Sequence, residues 1–243
     1  MSGSSGDGGL EDAAVDASPD AAPNGPCPDD MVLASLEGAG ELRVCVDRFE
    51  APNREGALPF VMFTLNESIA WCEQRGKRLC YDDEWERACA GSAGYRYPYG
   101  NTREPGRCND DKRWLTYNQA LLNGWPFTFD ASPFDSLEAV LSEVRSRGSA
   151  ASAAADHVMA LYQAEPAGEY PGCVSEPGVR DLVGSVEEWT LRRSGGTPGF
   201  RGNLKGRYWA ETRSCQDDIT SHGDGFRFYE IGFRCCQDAA ARE

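Results

Sequence analysis

The sequence predicts a mixed α+β domain, rich in loops and stapled by disulfides. Three observations carry that reading. Ten cysteines are scattered at irregular spacings through 243 residues, none of them in a CxxC pair. The 27 glycines and 14 prolines break the chain into short runs. Those runs switch from alternating to helical spacing near residue 66 and back to an apolar strand pattern near the end.

Residues 1–26 are Gly, Ser, Ala, Asp and Pro almost throughout. They carry five acids (Asp7, Glu11, Asp12, Asp16, Asp20) and no base. So little apolar surface cannot offset chain entropy, and a disordered acidic linker is expected, of the kind that spaces a secreted domain from an anchor upstream. One domain is expected over 27–243. Met31–Ala34 reads as a short strand. Leu42–Glu50 alternates apolar and polar residues and reads as a second. Asn66 is a suitable N-cap for a helix running to about Arg75, with Gly76 closing it. Lys77–Cys80 is an extended link. A second helix follows Asp82, places Asp83 and Glu84 in its first turn, and stops at Ala90–Gly91. From 91 to 135 the chain is loop-rich. A divergent insertion is expected at about 110–168. Within it, Leu137, Val140, Leu141 and Val144 have helical spacing and a small-residue run, Gly148–Ala155, follows. The last strand is expected over Phe226–Cys236.

With 24 Lys+Arg against 39 Asp+Glu, the net charge is −15, a poor match for nucleic acid or an anionic membrane. No apolar run is long enough to span a bilayer. With two histidines, His157 and His222, a His-rich metal centre has too few ligands. The ten cysteines therefore read as bridges formed in an extracytoplasmic compartment, although the opening MSGSSGDGG lacks the features of a signal peptide.

Six segments, in order, carry a resemblance. They are Cys45-Val-Asp-Arg-Phe-Glu50, Trp71-Cys-Glu-Gln-Arg-Gly-Lys-Arg-Leu79, Asp83-Glu-Trp-Glu-Arg87, Tyr97-Pro-Tyr-Gly-Asn101, Asp181-Leu-Val-Gly-Ser-Val-Glu-Glu-Trp189 and Gly232-Phe-Arg-Cys235. Together they resemble the formylglycine-generating enzyme, or sulfatase-modifying factor, family. The resemblance implies a C-type-lectin-like fold. It also implies a copper-binding cysteine pair, and that pair is missing: Leu204–Cys215 is the corresponding stretch, and no cysteine lies between Cys173 and Cys215. Copper(I) seeks soft thiolates, so copper-dependent oxidation has no ligands here. The family's Gly-Asn-x-Trp-Glu-Trp motif is also altered, with Ser185 for the Asn and Glu187 for the Trp. An iron-dependent branch of the family uses histidines, for which His157 and His222 offer little.

The resemblance further implies a structural calcium loop. Its ligands would be the side chains of Asp181 and Glu188 and the carbonyls of Gly184 and Val186, an oxygen set that suits calcium. Asn109 and Asp110 would contribute to a second such site. Family resemblance pairs Cys72 with Cys235 and Cys89 with Cys215. Cys235 and Cys236 point to opposite faces of a strand and need different partners, so Cys80 is expected on Cys236. Cys27–Cys45 would close the first hairpin and Cys108–Cys173 the base of the insertion.

Asp82, Asp83, Glu84 and Glu86 decorate a helix start, where the dipole accounts for them. Asn66-Glu-Ser68 fits a glycosylation sequon. Trp114, Tyr117, Trp125, Phe127 and Phe129 cluster in the insertion and are either a binding surface or padding. Two readings of function follow. One is a secreted, non-catalytic domain acting as a binding or scaffold module for a protein, peptide or glycan. The other is an enzyme of altered oxidative chemistry on cysteine or thiol substrates. The discriminating feature is the pocket beside Lys205–Trp209 and Glu187: Arg207, Tyr208 or Trp209 filling it would argue against catalysis.

Overall fold

The computed structural model describes Met1 and residues 25–36, 42–127, 130 and 132–240. Most of the expected linker, and Phe129, lie outside the described residues.

Two small sheets form the frame. In the first, β1 (Met31–Leu36) pairs antiparallel with β2 (Leu42–Asp47), from Met31↔Asp47 to Leu36↔Leu42. The next elements are α1 (Leu65–Glu73), β3 (Arg78–Leu79) and α2 (Asp82–Ala90). The insertion holds α3 (Gln119–Leu122), α4 (Leu137–Ser146) and α5 (Ser149–Leu161). The chain then returns through β4 (Glu187–Leu191), β5 (Gly202–Lys205), β6 (Ile231–Phe233) and β7 (Cys235–Asp238). The sheet orders are β1-β2-β7-β3 and β5-β4-β6.

Four local expectations are corrected. Helix α1 is capped by Thr64, not Asn66: the Thr64 hydroxyl accepts from the Glu67 N–H, and the Glu67 carboxylate accepts from the Thr64 N–H. This reciprocal box satisfies two orphan donors, which a lone Asn cap does not. Asn66 lies inside the helix, where its Oδ1 accepts from Arg201 at 2.6 Å. Helix α1 ends at Glu73, short of Arg75, and α2 begins at Asp82 itself. Phe226–Cys236 is not one strand. Phe226–Glu230 is outside both sheets, β6 runs parallel to β4, and β7 runs antiparallel to β2 and β3. The single residue between them, Arg234, carries the chain from one sheet to the other, and its wholly buried side chain fixes the switch.

The core explains why so short a set of elements holds together. Phe60 stacks on Phe63 at 5.0 Å, Trp71 meets both Phe60 and Phe233 edge-on, and the Trp189 indole donates to the Phe63 carbonyl at 3.1 Å. Val140, Val144, Ala154, Ala155 and Val158 of α4 and α5 are fully buried in that same cluster. The insertion is therefore part of the main core and not an appendage. The alanine run is the first half of α5, and Ala side chains let this helix lie close to its neighbours. A second cluster gathers Val44, Val46, Trp85, Leu182 and six cysteines.

All ten cysteines are bridged in the structure: Cys27–Cys45, Cys72–Cys235, Cys80–Cys236, Cys89–Cys215 and Cys108–Cys173. Cys235 ties β7 to α1, and Cys236, on the opposite face, ties it to the end of β3.

Candidate functional site

Beyond β5 the chain turns sharply at Gly206 and Arg207, both with positive φ (80° and 58°). A side chain on Gly206 would collide with the Leu182 carbonyl and the Trp85 ring, so the turn requires glycine there. The turn folds the following side chains inward. The Arg207 guanidinium donates to Glu187 at 3.0 Å and also to Glu211. Trp209 is 1% exposed and wedged between Tyr162 (5.6 Å) and Tyr229 (6.1 Å), with Tyr208 edge-on against it. The pocket beside Glu187 is thus filled by the domain's own Arg207, Tyr208 and Trp209.

Glu230 lies behind this plug. Burial, reinforced by the negative charge of Glu187, pushes its carboxyl up to about 8 from an ordinary value of 4.5. Burial also raises Glu187, with Arg207 opposing. Through Glu230 the native state binds one more proton than the unfolded chain between about pH 4.5 and 8, and the raised Glu187, Glu50, Asp47 and Asp181 add to this in the acid part of the window. The stability that Glu230 contributes is full below that window and is lost as pH rises through it. Glu230 alone should make the unfolding free energy fall across pH 5–8 with a slope of up to about 1.4 kcal/mol per unit. Denaturant titrations of Glu230→Gln should show a flatter profile; an unchanged slope would assign it to other groups.

The expected calcium loop is built differently from a calcium site. Asp181, with φ of 58°, turns its Oδ2 to accept from the Gly168 N–H at 2.8 Å. Arg234 donates to both oxygens of Glu188 at 2.7 Å, and the Trp85 indole donates to Oε2 at 2.9 Å. Gly184 packs on the Asn109 carbonyl, which accepts from Ser185 N–H at 2.8 Å. Asn109 donates to the Gln163 carbonyl, and Asp110 is held by Arg103 and Thr212. A cation occupies the role at Glu188 that the metal would have, but the cation is Arg234. No group of three or more His, Cys, Asp or Glu among the described residues is placed to hold a metal. Calcium at Glu188 would therefore have to replace Arg234, whereas Asn109 Oδ1 and Asp110 Oδ1 are buried without a hydrogen-bond partner. The copper donor set does not fit, because every cysteine is bridged. Near this ion pair Glu50 is also buried, and burial with the charge of Asp181 raises its carboxyl well above the ordinary range.

The acids of α2 are absorbed structurally. Arg78 forks onto Glu84 at 2.7 and 2.8 Å, and Arg193 pairs with Asp83 and Glu84 while lying over the Tyr81 ring. His157 accepts from the Asn118 N–H, and His222 stacks on Phe226 at 4.0 Å, so each is spoken for locally.

The insertion's aromatics divide. Trp114, Tyr117 and Phe127 are exposed (44%, 37% and 92%), whereas Trp125 is buried. Trp114 meets Tyr117 edge-on, and Tyr117 meets Phe228 at 4.9 Å, so the exposed rings lean on the half-buried Phe226 and Phe228 and the buried Tyr229. Sequence reasoning missed this second half. The run Phe226-Arg-Phe-Tyr-Glu230 was readable as aromatic, but it was assigned to a strand. Trp114, Tyr117 and Phe127 thus present exposed rings on loops of the disulfide-stapled frame.

A family model, the sulfatase-modifying factor enzyme 1-like domain, matches residues 43–239. A Bos taurus protein named "inactive C-alpha-formylglycine-generating enzyme 2" is 28% identical over 155 residues, covering 63% of this chain and 39% of that protein. The Mus musculus protein of the same name is 43% identical over 53 residues, 21% of this chain and 17% of that one. The chain thus spans well under half the length of these relatives. The crystal structure of CarF superposes with a TM-score of 0.55 at 12% identity, covering 87% of this chain and 98% of that one, which is a likeness of fold.

Proposed function

Because the chain belongs to the sulfatase-modifying factor family, we propose that it is a non-catalytic member that keeps the frame as a binding or scaffold module. The observation that carries this reading is the plugged pocket. Arg207, Tyr208 and Trp209 occupy the space beside Glu187, and no cysteine is free to bind copper or enter a redox cycle. The word "inactive" in the names of the cattle and mouse relatives supports the same reading. The exposed rings of Trp114 and Tyr117 are the proposed contact surface for a protein, peptide or glycan. Five disulfides suit an extracytoplasmic or lumenal compartment, and no described helix is long and apolar enough to cross a membrane.

The test is incubation with copper, oxygen and a Cys-x-Pro-x-Arg peptide, read by mass spectrometry. The expected result is no formylglycine. Conversion above a heat-denatured control would favour an enzyme of altered oxidative chemistry instead.

Calcium at Asp181, Gly184, Val186 and Glu188 is a separate proposal and requires Arg234 to leave Glu188. With that pair intact, the melting temperature should be the same in millimolar calcium and in chelator. A clear rise in calcium would establish the metal and show that Arg234 yields, since a ligand of the native state alone stabilises by mass action.

A further inference from the structure

A second cleft, of about 390 Å³, opens beside the aromatic surface, between α3 and the loop that precedes β6. Its walls are mixed: Leu122, Trp125, Phe226 and Phe228 line one part, Gln119 and Asn123 another, and exposed Phe127 borders it. Size and lining are those of a small-molecule site. Among the described residues of its lining, Arg227 is the one charged side chain, on a molecule whose net charge is −15.

The state of that arginine points to the ligand. Its Nη2 donates to Glu67 at 3.1 Å and to the Phe127 carbonyl at 3.2 Å. Its Nη1 is buried with no acceptor among the described residues. Glu67 is only partly available to it, because its other oxygen accepts from both the N–H and the hydroxyl of Thr64 at the helix cap. Arg227 is ion-paired to Glu67, and an oxyanion in the cleft would share the guanidinium with it by drawing the unused Nη1 toward the cleft, where the aromatic walls shield the contact from water. An anion bonded there would carry its apolar body against Trp125, Phe226 and Phe228.

We infer that this cleft binds a small organic carboxylate with an aromatic or branched apolar body, held by Arg227. The inference goes beyond the proposed scaffold role and does not depend on whether the domain is catalytic. Nor does it use the exposed faces of Trp114 and Tyr117.

The probe is 3-phenylpropionate, with 3-phenylpropanol as its neutral counterpart. Each is titrated into the intact ¹⁵N-labelled chain while the Trp125 indole and the Gly225–Phe228 amides are followed. The carboxylate should bind roughly tenfold more tightly than the alcohol, as expected for one charge-assisted contact. Arg227→Gln should abolish that preference. Phe127→Ala, at an exposed position that the fold does not need, should weaken both probes. Equal affinity of acid and alcohol for the unmodified chain would overturn the inference, as would shifts confined to residues away from the cleft. The unmodified chain alone decides this, so failure of Arg227→Gln to fold leaves the test intact.

Discussion

Arg234→Met is expected to destabilise the domain by about 3–5 kcal/mol, the cost of leaving a buried carboxylate without its cation. Arg234 and Glu188 are both fully buried and joined by two hydrogen bonds of 2.7 Å. Arg234 also donates to the carbonyls of Asp47 and Arg180, so it joins β2, the loop before β4 and β4 itself at the point where the chain changes sheets. The double variant Arg234→Met/Glu188→Gln should recover part of the loss, because Glu188 is then neutral while buried Glu50 and Asp181 still lose the Arg234 charge. Guanidinium unfolding of the three proteins measures this. A loss below 1 kcal/mol for the single variant would mean that Glu188 finds another cation, calcium included.

The second large effect concerns the long bridges. Replacing both Cys72 and Cys235 by alanine leaves Cys80–Cys236 joining the same two segments, so the loop that is freed runs only from Cys72 to Cys80 and from Cys236 to Cys235. Chain-entropy models then give about 3 kcal/mol, much as for Cys27–Cys45 with its separation of 18. The Cys72–Cys235 variant should still lose more stability, because both of its half-cystines pack in the main core. Chemical denaturation of the two double-alanine variants gives the comparison, and equal losses would show that this core packing does not govern it. Non-reduced peptide mapping should return the five pairs of the structure.

The parts legible in the sequence were those set by local chemistry. Helices α1 and α2 announce themselves through apolar spacing and acids in the first turn, and β2 through alternation. The Thr64 cap is also written in the sequence, since Thr64-x-x-Glu67 precedes the apolar run, but Asn66, a strong cap type two residues later, offers a competing start. The break at Arg234 was not readable: an apolar run looks the same whether it stays in one sheet or crosses to another, and only the buried Glu188 across the core decides. The calcium expectation met the same obstacle. Asp181 and Glu188 have suitable spacing, yet the cation beside Glu188 comes from 46 residues further on. Trp114 and Trp125 are eleven positions apart in one aromatic stretch, and composition did not tell which faces water. That depends on α4 and α5, whose apolar faces close over Trp125 and join it to the main core. The filled pocket was half legible: the missing thiols could be counted, but the inward turn at Gly206–Arg207 is a backbone fact.

The central claim is that this frame has no redox-active thiol and hence no copper chemistry. The most direct measurement is a titration of free thiols in the unfolded, unreduced chain, paired with copper(I) binding to the native chain. The structure predicts no reactive thiol and no stoichiometric copper, because all ten cysteines are bridged. Two reactive thiols per chain, together with one tightly bound copper(I), would contradict it.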